Sequence, residues 1–593
     1  MFMLQAASRP PSSQGSPKLR PQKSRSELEL EQKQGLPPPP YTPSLHRSLR
    51  SSREQHNRSD NDETATSEDQ TENKLEKKNK NKMAIFFQPR TSILDYTELM
   101  YQGSDTIRGL VTCFWTIIGA YLVSLLSSHY EHSGEVLSSD LAVLVFSRGK
   151  DLLLSDLSLV ASTFCVVPFV RYVWVASGKW QPAFLDPRNS VCAMCLHAAM
   201  EIGWLAFWYA WQGTRGWPWT QRSFFALHTV VNWMKIHSYL STTRRLACAL
   251  RERSELTSHS PISSSSSSSS SSEDDHQHKG SGRLRELDSV LSPYANARFP
   301  QTLTMHNFFM FQLSPTLVYE LEYPRTPRIR WLYVAEKMAG TAGIFVVFYV
   351  VVAHLMIPHL ERMPQTGVLM TTVHLMGPMA TCWLLFFFIT FDSISNGFAE
   401  LTRFADRRFY DDWWNARGLD EFSRKWNRPV HMFLARHVYM PIRENWRVYK
   451  ASSAGVDANE PDTKKKERST RSSRAAPSTV GGFVRHLRIT IPAPLAAMAA
   501  TFFFSSILHE VTVVVACHRW NHGMLFFSQM MQIPLIFASD KVLWYKNQHA
   551  LRNWIFWVVM VFFQPFLLCM YTHNAFVARQ NSSLSVSVLP SVA

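Results

Sequence analysis

Two stretches of this chain, "VTCFWTIIGAYLVSLLSSHY" (111–130) and "WIFWVVMVFFQPFLLCMY" (554–571), hold no Lys, Arg, Asp or Glu. A helix needs about 20 apolar residues to cross a hydrocarbon core of about 30 Å. In that medium only a helix or a closed barrel satisfies its own backbone groups. Further windows follow the same pattern, including one around "WLLFFFITF" (383–391). Nine spans are expected: 108–128, 153–176, 190–212, 222–242, 333–357, 367–392, 488–517, 522–540 and 552–572. The fourth is the weakest, because it contains Asn232, Lys235 and His237. The chain is therefore expected to be an all-α polytopic membrane protein.

Between the spans lie segments that cannot hold a core. Residues 1–95 are rich in Ser, Pro, Gln, Glu and Lys and are expected to form a disordered cytosolic tail. Polar inserts run over about 250–290, with serines from Ser263 to Ser272, and over about 450–482. The domain proper is expected at 96–575, followed by a short lumenal tail at 576–593. "MFMLQAASRP" lacks the apolar stretch of a signal peptide, so the first span is expected to act as the insertion signal. The net charge is +16. In a soluble protein that would point to nucleic acid; here basic loops on the cytosolic side account for it. The sequon Asn581-Ser582-Ser583 is consistent with a lumenal C-terminus. The CxxC of Cys192 and Cys195 has no second pair, and inside an expected span buried thiols are the expectation rather than metal ligands.

Polar groups at bilayer depth mark function by default, since a charge at mid-helix costs about 2.5–3.5 kcal/mol on insertion scales. "ATFFFSSILHEVTVVVAC" (500–517) places His509 and Glu510 inside the seventh window. Ser505 and Ser506 lie four and three residues before His509, on its face of the helix, where a serine can orient an imidazole. An unprotonated imidazole suits general-base removal of an alcohol proton; a histidine satisfied by a neighbouring helix is the alternative.

The 393–450 region is neither polar nor disordered in character. Leu401, Ala405, Phe409 and Trp413 recur every four residues, which predicts an amphipathic helix lying in the interface, with rings toward lipid and Arg403, Arg407 and Arg408 on its other faces. Within it, "FYDDWWN" sets Phe409, Tyr410, Trp413 and Trp414 around Asp411, Asp412 and Asn415. A plain interfacial anchor is the competing reading. In "KWNRPVHMFLARHVYMP" (425–441), Pro429 marks a helix start. Asn427 can donate to an oxyanion there, and His431 is either functional or structural. Arg325, Arg328 and Arg330 beside Tyr and Trp read as a headgroup contact that could also meet other anions.

These motifs resemble those of the membrane-bound O-acyltransferases, and "FYDDWWN" is similar to the signature of their sterol O-acyltransferase branch. "SSILHEVTV" looks like that family's embedded His-Glu segment. "WNRPVHMFLARHVY" and "PTLVYELEYPRTPRIRWLYVAEK" resemble segments of the fungal sterol enzymes. The resemblance covers most of 220–575. It implies a long-chain acyl-CoA as donor, a sterol entering from the bilayer as acceptor, and steryl ester as product. It makes His509 the catalytic base with Asn427 beside it. It places Phe409, Tyr410, Asp412, Trp413, Trp414, Asn415 and His431 in the acyl-CoA site. It implies no metal and no cofactor beyond that co-substrate. The expected setting is the endoplasmic-reticulum membrane, among membrane lipids, as a multi-pass homo-oligomer without nucleic acid. Relatives that acylate diacylglycerol usually carry Glu where Asp412 stands and lack the histidine of "MKIHSY" (234–239), so His237 and Asp412 favour the sterol branch. Diacylglycerol acylation is the alternative within the family. A transporter is the alternative outside it, since intramembrane polar residues also mark ion paths, although the paired halves of such a fold are not visible.

Overall fold

The computed structural model describes residues 87–95, 105–134, 147–175, 191–259, 273–292, 294, 299–453, 491–517, 523–541 and 548–587. Helices dominate, and among the described residues the only extended pairings are isolated bridges. In chain order they are α1 (Asp105–Ser133), α2 (Gly149–Thr163), α3 (Val191–Gly213), α4 (Trp219–His259), α5 (Glu273–Leu291) and α6 (Met305–Leu313). Then come α7 (Trp331–Val351), α8 (Val368–Phe387), α9 (Leu419–Trp426), α10 (Arg428–Leu434) and α11 (Met440–Ser453). The last four are α12 (Ala493–Cys517), α13 (Met524–Met530), α14 (Gln532–Lys541) and α15 (His549–Ser587). Each expected apolar window overlaps one or more of these helices. Among the described residues, five stretches are long and apolar enough to cross a membrane: Gly149–Phe169, Trp331–Glu361, Val368–Leu401, Ala493–Val515 and His549–His573. Leu153, Leu157, Phe345, Trp554 and Val558 remain on their outer faces, where lipid rather than water suits them. The protein is a multi-pass membrane protein.

The polar residues of the fourth window explain themselves inside the bundle. Lys235 on α4 is buried and donates to the carbonyls of Phe311, Gln312 and Ser314 at 2.9, 2.7 and 2.8 Å. It thus supplies donors to the C-terminal carbonyls of α6, which a helix cannot satisfy alone. Asn232 donates back to the His228 carbonyl at 2.9 Å. A window that reads as a poor membrane span is a helix whose Asn232 and Lys235 are buried against protein.

Three expectations change. Residues 87–95 are not part of a free tail: Arg90 pairs with Asp406 at 2.5 Å, the Leu94 amide donates to Tyr410 at 2.8 Å, and Asp95 pairs with Lys337 at 2.9 Å. The first polar insert is partly helical. α5 lies against the far end of α4, with Arg283 on Glu252 at 2.6 Å, Arg253 on Asp288 at 2.7 Å, and Leu287 buried. The serine run and most of the 450–482 insert fall outside the described residues. Finally, α15 continues past 575 to Ser587 and carries Asn581 on a helix.

One end of the bundle is joined by one carboxylate. Glu400 lies at the end of the Val368–Leu401 span, which begins as α8, and has no exposed surface. It accepts the Arg330 backbone N–H at 2.7 Å, pairs with the Arg330 guanidinium at 3.0 Å and meets the buried Arg407 at 2.5 Å. Removing one partner of a buried pair costs about 3–5 kcal/mol, because the other charge is left alone. Glu400→Ala should lower the stability of the detergent-solubilised protein by that order. Glu400→Ala with Arg407→Met should recover part of the loss in thermal unfolding, giving a coupling of about 1 kcal/mol or more.

Candidate functional site

The amphipathic helix expected over 393–415 does not form. The helix ends at Leu401, and Arg403 adopts a left-handed backbone, with φ of 58°. That conformation costs a non-glycine residue about 1–2 kcal/mol. Long-range bonds offset it. Thr326 donates its backbone N–H to Arg403 at 2.7 Å, and Arg403 Nε donates to the Thr326 carbonyl at 2.6 Å. Ala405 N–H donates to Pro324, Arg90 N–H to Ala405 and Arg407 N–H to Arg90, at 2.9, 3.0 and 2.8 Å. With its backbone groups taken by residues 90 and 324–326, the segment has no reason to coil.

Its rings therefore point inward rather than to lipid. Phe409, Tyr410 and Trp413 are only 2, 1 and 2% exposed. Trp413 lies against Trp383, Trp426, Phe387 and Trp557, with ring centroids 4.8, 5.0, 5.1 and 5.7 Å away. Trp383 stacks on Trp426 at 4.4 Å. The backbone is fixed as firmly. Asp411 N–H donates to Lys425 and Arg428 N–H to Phe409, at 2.8 and 2.9 Å, while Asn553 donates to the Trp414 and Ala416 carbonyls, both at 2.9 Å. The motif joins α8, α9, α10 and α15 as a buried keystone. Its half-exposed or exposed members are Asp411, Asp412, Trp414 and Asn415.

The acidic groups at its rim are paired. Asp411 meets Arg408 at 2.5 Å and Arg428 at 3.4 Å, and Asp412 meets Lys425 at 3.0 Å. Burial pushes the Asp412 carboxyl up, but Lys425 and the Asn415 amide hold it below the usual carboxylate range. Glu421 is affected more strongly: against burial, Lys425 and Arg417 hold it at about 2. Arg407, expected on a face away from the rings, is buried on Glu400, so it is not available to an anion.

Asn427 ends α9 and caps α10. Its Oδ1 accepts the Val430 N–H at 3.2 Å, which leaves the side-chain NH₂ to donate elsewhere. His431, one turn on, is partly buried. Burial first, then Arg424 and Arg428, lower its pKa, so at neutral pH it is an uncharged imidazole.

On α12 the adjacent His509 and Glu510 divide. His509 stands on an exposed face of the helix at bilayer depth. Its Nδ1 lies 2.8 Å from the Ser505 carbonyl. A carbonyl only accepts, so Nδ1 carries the proton and Nε2 keeps its lone pair for a substrate. The orienting group is thus a backbone oxygen; the Ser506 hydroxyl instead donates to Phe502. Glu510 turns inward. It accepts the Phe526 N–H and the Tyr571 hydroxyl, both at 3.0 Å. That places a carboxylate on the first turn of α13, where the helix N-terminus favours negative charge. Among the described residues no hydrogen bond joins His509 to Asn427 or His431. The segments meet through an apolar cluster that includes Val430, Phe433, Phe504 and Leu508.

Sequence reasoning missed a polar cluster between α3 and α4. His197 Nε2 is 2.5 Å from Glu201, and His237 Nδ1 is 2.9 Å from the same carboxylate. His197 and Glu201 are four apart on one helix face, which was a legible signal, but their partner on α4 was not.

The family model described as "MBOAT, membrane-bound O-acyltransferase family" matches residues 194–453. That range holds the buried keystone, Asn427, His431 and the missed cluster; His509 lies beyond it. The chain is 27% identical to "Sterol O-acyltransferase 2" of Saccharomyces uvarum, over 79% of this chain and 66% of that one. It is 27% identical to "Probable sterol O-acyltransferase 1" of Schizosaccharomyces pombe, over 82% and 85%. "Diacylglycerol O-acyltransferase 1" of Dictyostelium discoideum is 29% identical over 48% and 39%. The chain thus spans about two thirds of the first relative and more of the second.

Two outcomes test the keystone. Trp413→Ala should cost about 3–5 kcal/mol, as large core truncations do, whereas exposed Asn415→Ala should stay within about 0.5 kcal/mol; thermal unfolding in detergent reads both. For Glu421 the folded pKa lies below the ordinary 4.5. Its stabilisation is therefore complete above that value and is lost as pH falls toward about 2. Glu421→Gln should flatten that acid branch of the unfolding-midpoint profile, and an unchanged profile would remove the assignment.

Proposed function

The chain belongs to the membrane-bound O-acyltransferase family, and on that premise we propose that it transfers a long-chain acyl group from acyl-CoA to the 3-hydroxyl of a sterol. The observation that carries this reading is the tautomer of His509, with Nδ1 held by the Ser505 carbonyl and Nε2 unencumbered on a reachable face at bilayer depth. A sterol arrives laterally with its hydroxyl near that depth. Nε2 takes the hydroxyl proton, the oxygen attacks the thioester carbonyl, and the thiolate of CoA leaves and is reprotonated. Transfer is direct, without an acyl-enzyme. The free NH₂ of Asn427 donates to the oxyanion as it develops.

The donor side rests on the rim of the keystone. Its buried rings set the shape, and the groups able to meet acyl-CoA directly are Trp414, Asn415, His431 and the cations Arg408, Arg424, Lys425 and Arg428. Phe409, Tyr410, Asp412 and Trp413 act by holding that rim in place. The setting is the endoplasmic-reticulum membrane, and the working form is a homo-oligomer.

The names of the Saccharomyces and Schizosaccharomyces relatives support a sterol acceptor. The Dictyostelium relative supports a second reading, in which diacylglycerol takes the sterol's place with the same base. Purified protein offered a labelled long-chain acyl-CoA with ergosterol, cholesterol and diacylglycerol side by side decides between them. Steryl ester should dominate; triacylglycerol as the main product would install the second reading. His509→Ala should reduce ester formation by about 10² or more, the order contributed by a general base, while the protein still inserts and accumulates. Substantial turnover by that variant would remove His509 from the chemistry.

A further inference from the structure

The cluster between α3 and α4 lies outside the proposed chemistry. Trp233 and Phe433 lie between it and Phe504 of the His509 helix: His237 stands 5.9 Å from Trp233 and 5.8 Å from Phe433, and Trp233 stands 5.9 Å from Phe504. At its centre is Glu201, a buried carboxylate on α3. One oxygen lies 2.5 Å from His197 Nε2. The two oxygens lie 3.1 and 2.9 Å from His237 Nδ1.

The protons in this cluster can be assigned from its neighbours. Ser241 Oγ is 2.7 Å from the His237 carbonyl and 3.2 Å from His237 Nε2. The carbonyl only accepts, so the single hydroxyl proton goes there, and Ser241 accepts from Nε2–H. That leaves Nδ1 as the His237 nitrogen that faces the carboxylate. An imidazole nitrogen and a carboxylate oxygen at 2.9 Å need a proton or a cation between them. His437 stands beside this pair, its ring 5.1 Å from that of His237. Ser238 Oγ accepts the Tyr319 N–H at 2.7 Å and lies 2.9 Å from His437 Nε2. Ser241, by contrast, is committed to the His237 carbonyl and fixes which His237 nitrogen meets Glu201.

We propose that His197 Nε2, Glu201 and His237 Nδ1 bind a divalent transition metal of the zinc type, which clips α3 to α4 inside the membrane domain. Two imidazoles and a carboxylate are a known ligand set for zinc, with a fourth position left to water or another ligand. The three donor atoms lie within 4.8 Å of one another. Metal bonds of about 2.0–2.1 Å would place tetrahedral ligand atoms roughly 3.3 Å apart, an opening that small side-chain rotations provide. The Nε2–H of His237 on Ser241 is the outer hydrogen bond that a metal-bound histidine generally makes. Such a clip bears on the fold rather than on acyl transfer, so its test does not depend on the acceptor assignment.

The full-length protein, purified in detergent without chelator, is equilibrated with zinc and dialysed, and its metal content is measured. About one equivalent per chain should remain, and cobalt in its place should give the visible absorption of a low-symmetry site. Glu201→Gln, which keeps the shape of the side chain, and His237→Ala should each lower retention at least tenfold. Thermal unfolding verifies that the Glu201→Gln protein is folded. No retained zinc in the wild type, or retention unchanged in both variants, overturns the proposal and leaves the cluster as a hydrogen-bonded ion pair.

Discussion

Glu400 shows the constraint on which its end of the structure depends: a charge without water must be answered by another charge or by backbone dipoles. Its carboxylate has no exposed surface and holds Arg330 at the start of α7 and Arg407 in the aromatic segment. The same rule is applied twice more nearby. Asp406 is held by Arg90, and Lys337 lies between Asp95 and Asp392 at 2.9 and 3.1 Å. All of these pairings except Glu400–Arg407 link residues far apart in sequence. Buried ion pairs add little net stability over well-packed apolar groups, but mispairing them is expensive. Here they fix which segments meet, and the rings around Trp413 then supply the packing.

What could be read from the sequence follows from how local its cause is. Helices in the apolar windows were legible because hydrocarbon leaves a chain no other local choice. That His509 sits within an apolar helix was legible because an imidazole in an apolar run stands out against its neighbours. The stripe Leu401, Ala405, Phe409, Trp413 misled, because its four-residue spacing is also what an irregular, buried segment can show. The bonds that prevented a helix come from Arg90 and Pro324, which no window around residue 405 contains. Lys235 looked like a flaw in a span for a similar reason: the α6 carbonyls that receive it are more than seventy residues away.

The aromatic motif also changes meaning once its burial is known. Rings at an interface would touch ligand or lipid directly. Rings at 1–2% exposure act by position. They hold Trp414, Asn415 and the start of α10 in fixed relation, and Asn427 caps α10 from that fixed point. A motif of this kind tolerates little change even where it touches nothing but protein, since displacing one ring moves the amide that caps the next helix.

The division between His509 and Glu510 completes this logic. Adjacent residues on a helix point about 100° apart, so a His-Glu pair in sequence can face two different environments, and here it does. The carboxylate spends its charge on the first turn of α13 and the Tyr571 hydroxyl, and the imidazole is left facing outward with Nδ1 on the Ser505 carbonyl. The α3–α4 cluster follows the same rule on the other side of Trp233 and Phe433. Charges interact strongly at the low effective dielectric of a membrane interior, so balance there has to be local. The buried Glu201 carboxylate is answered by the two imidazole nitrogens beside it, from His197 and His237, rather than by any group beyond the rings.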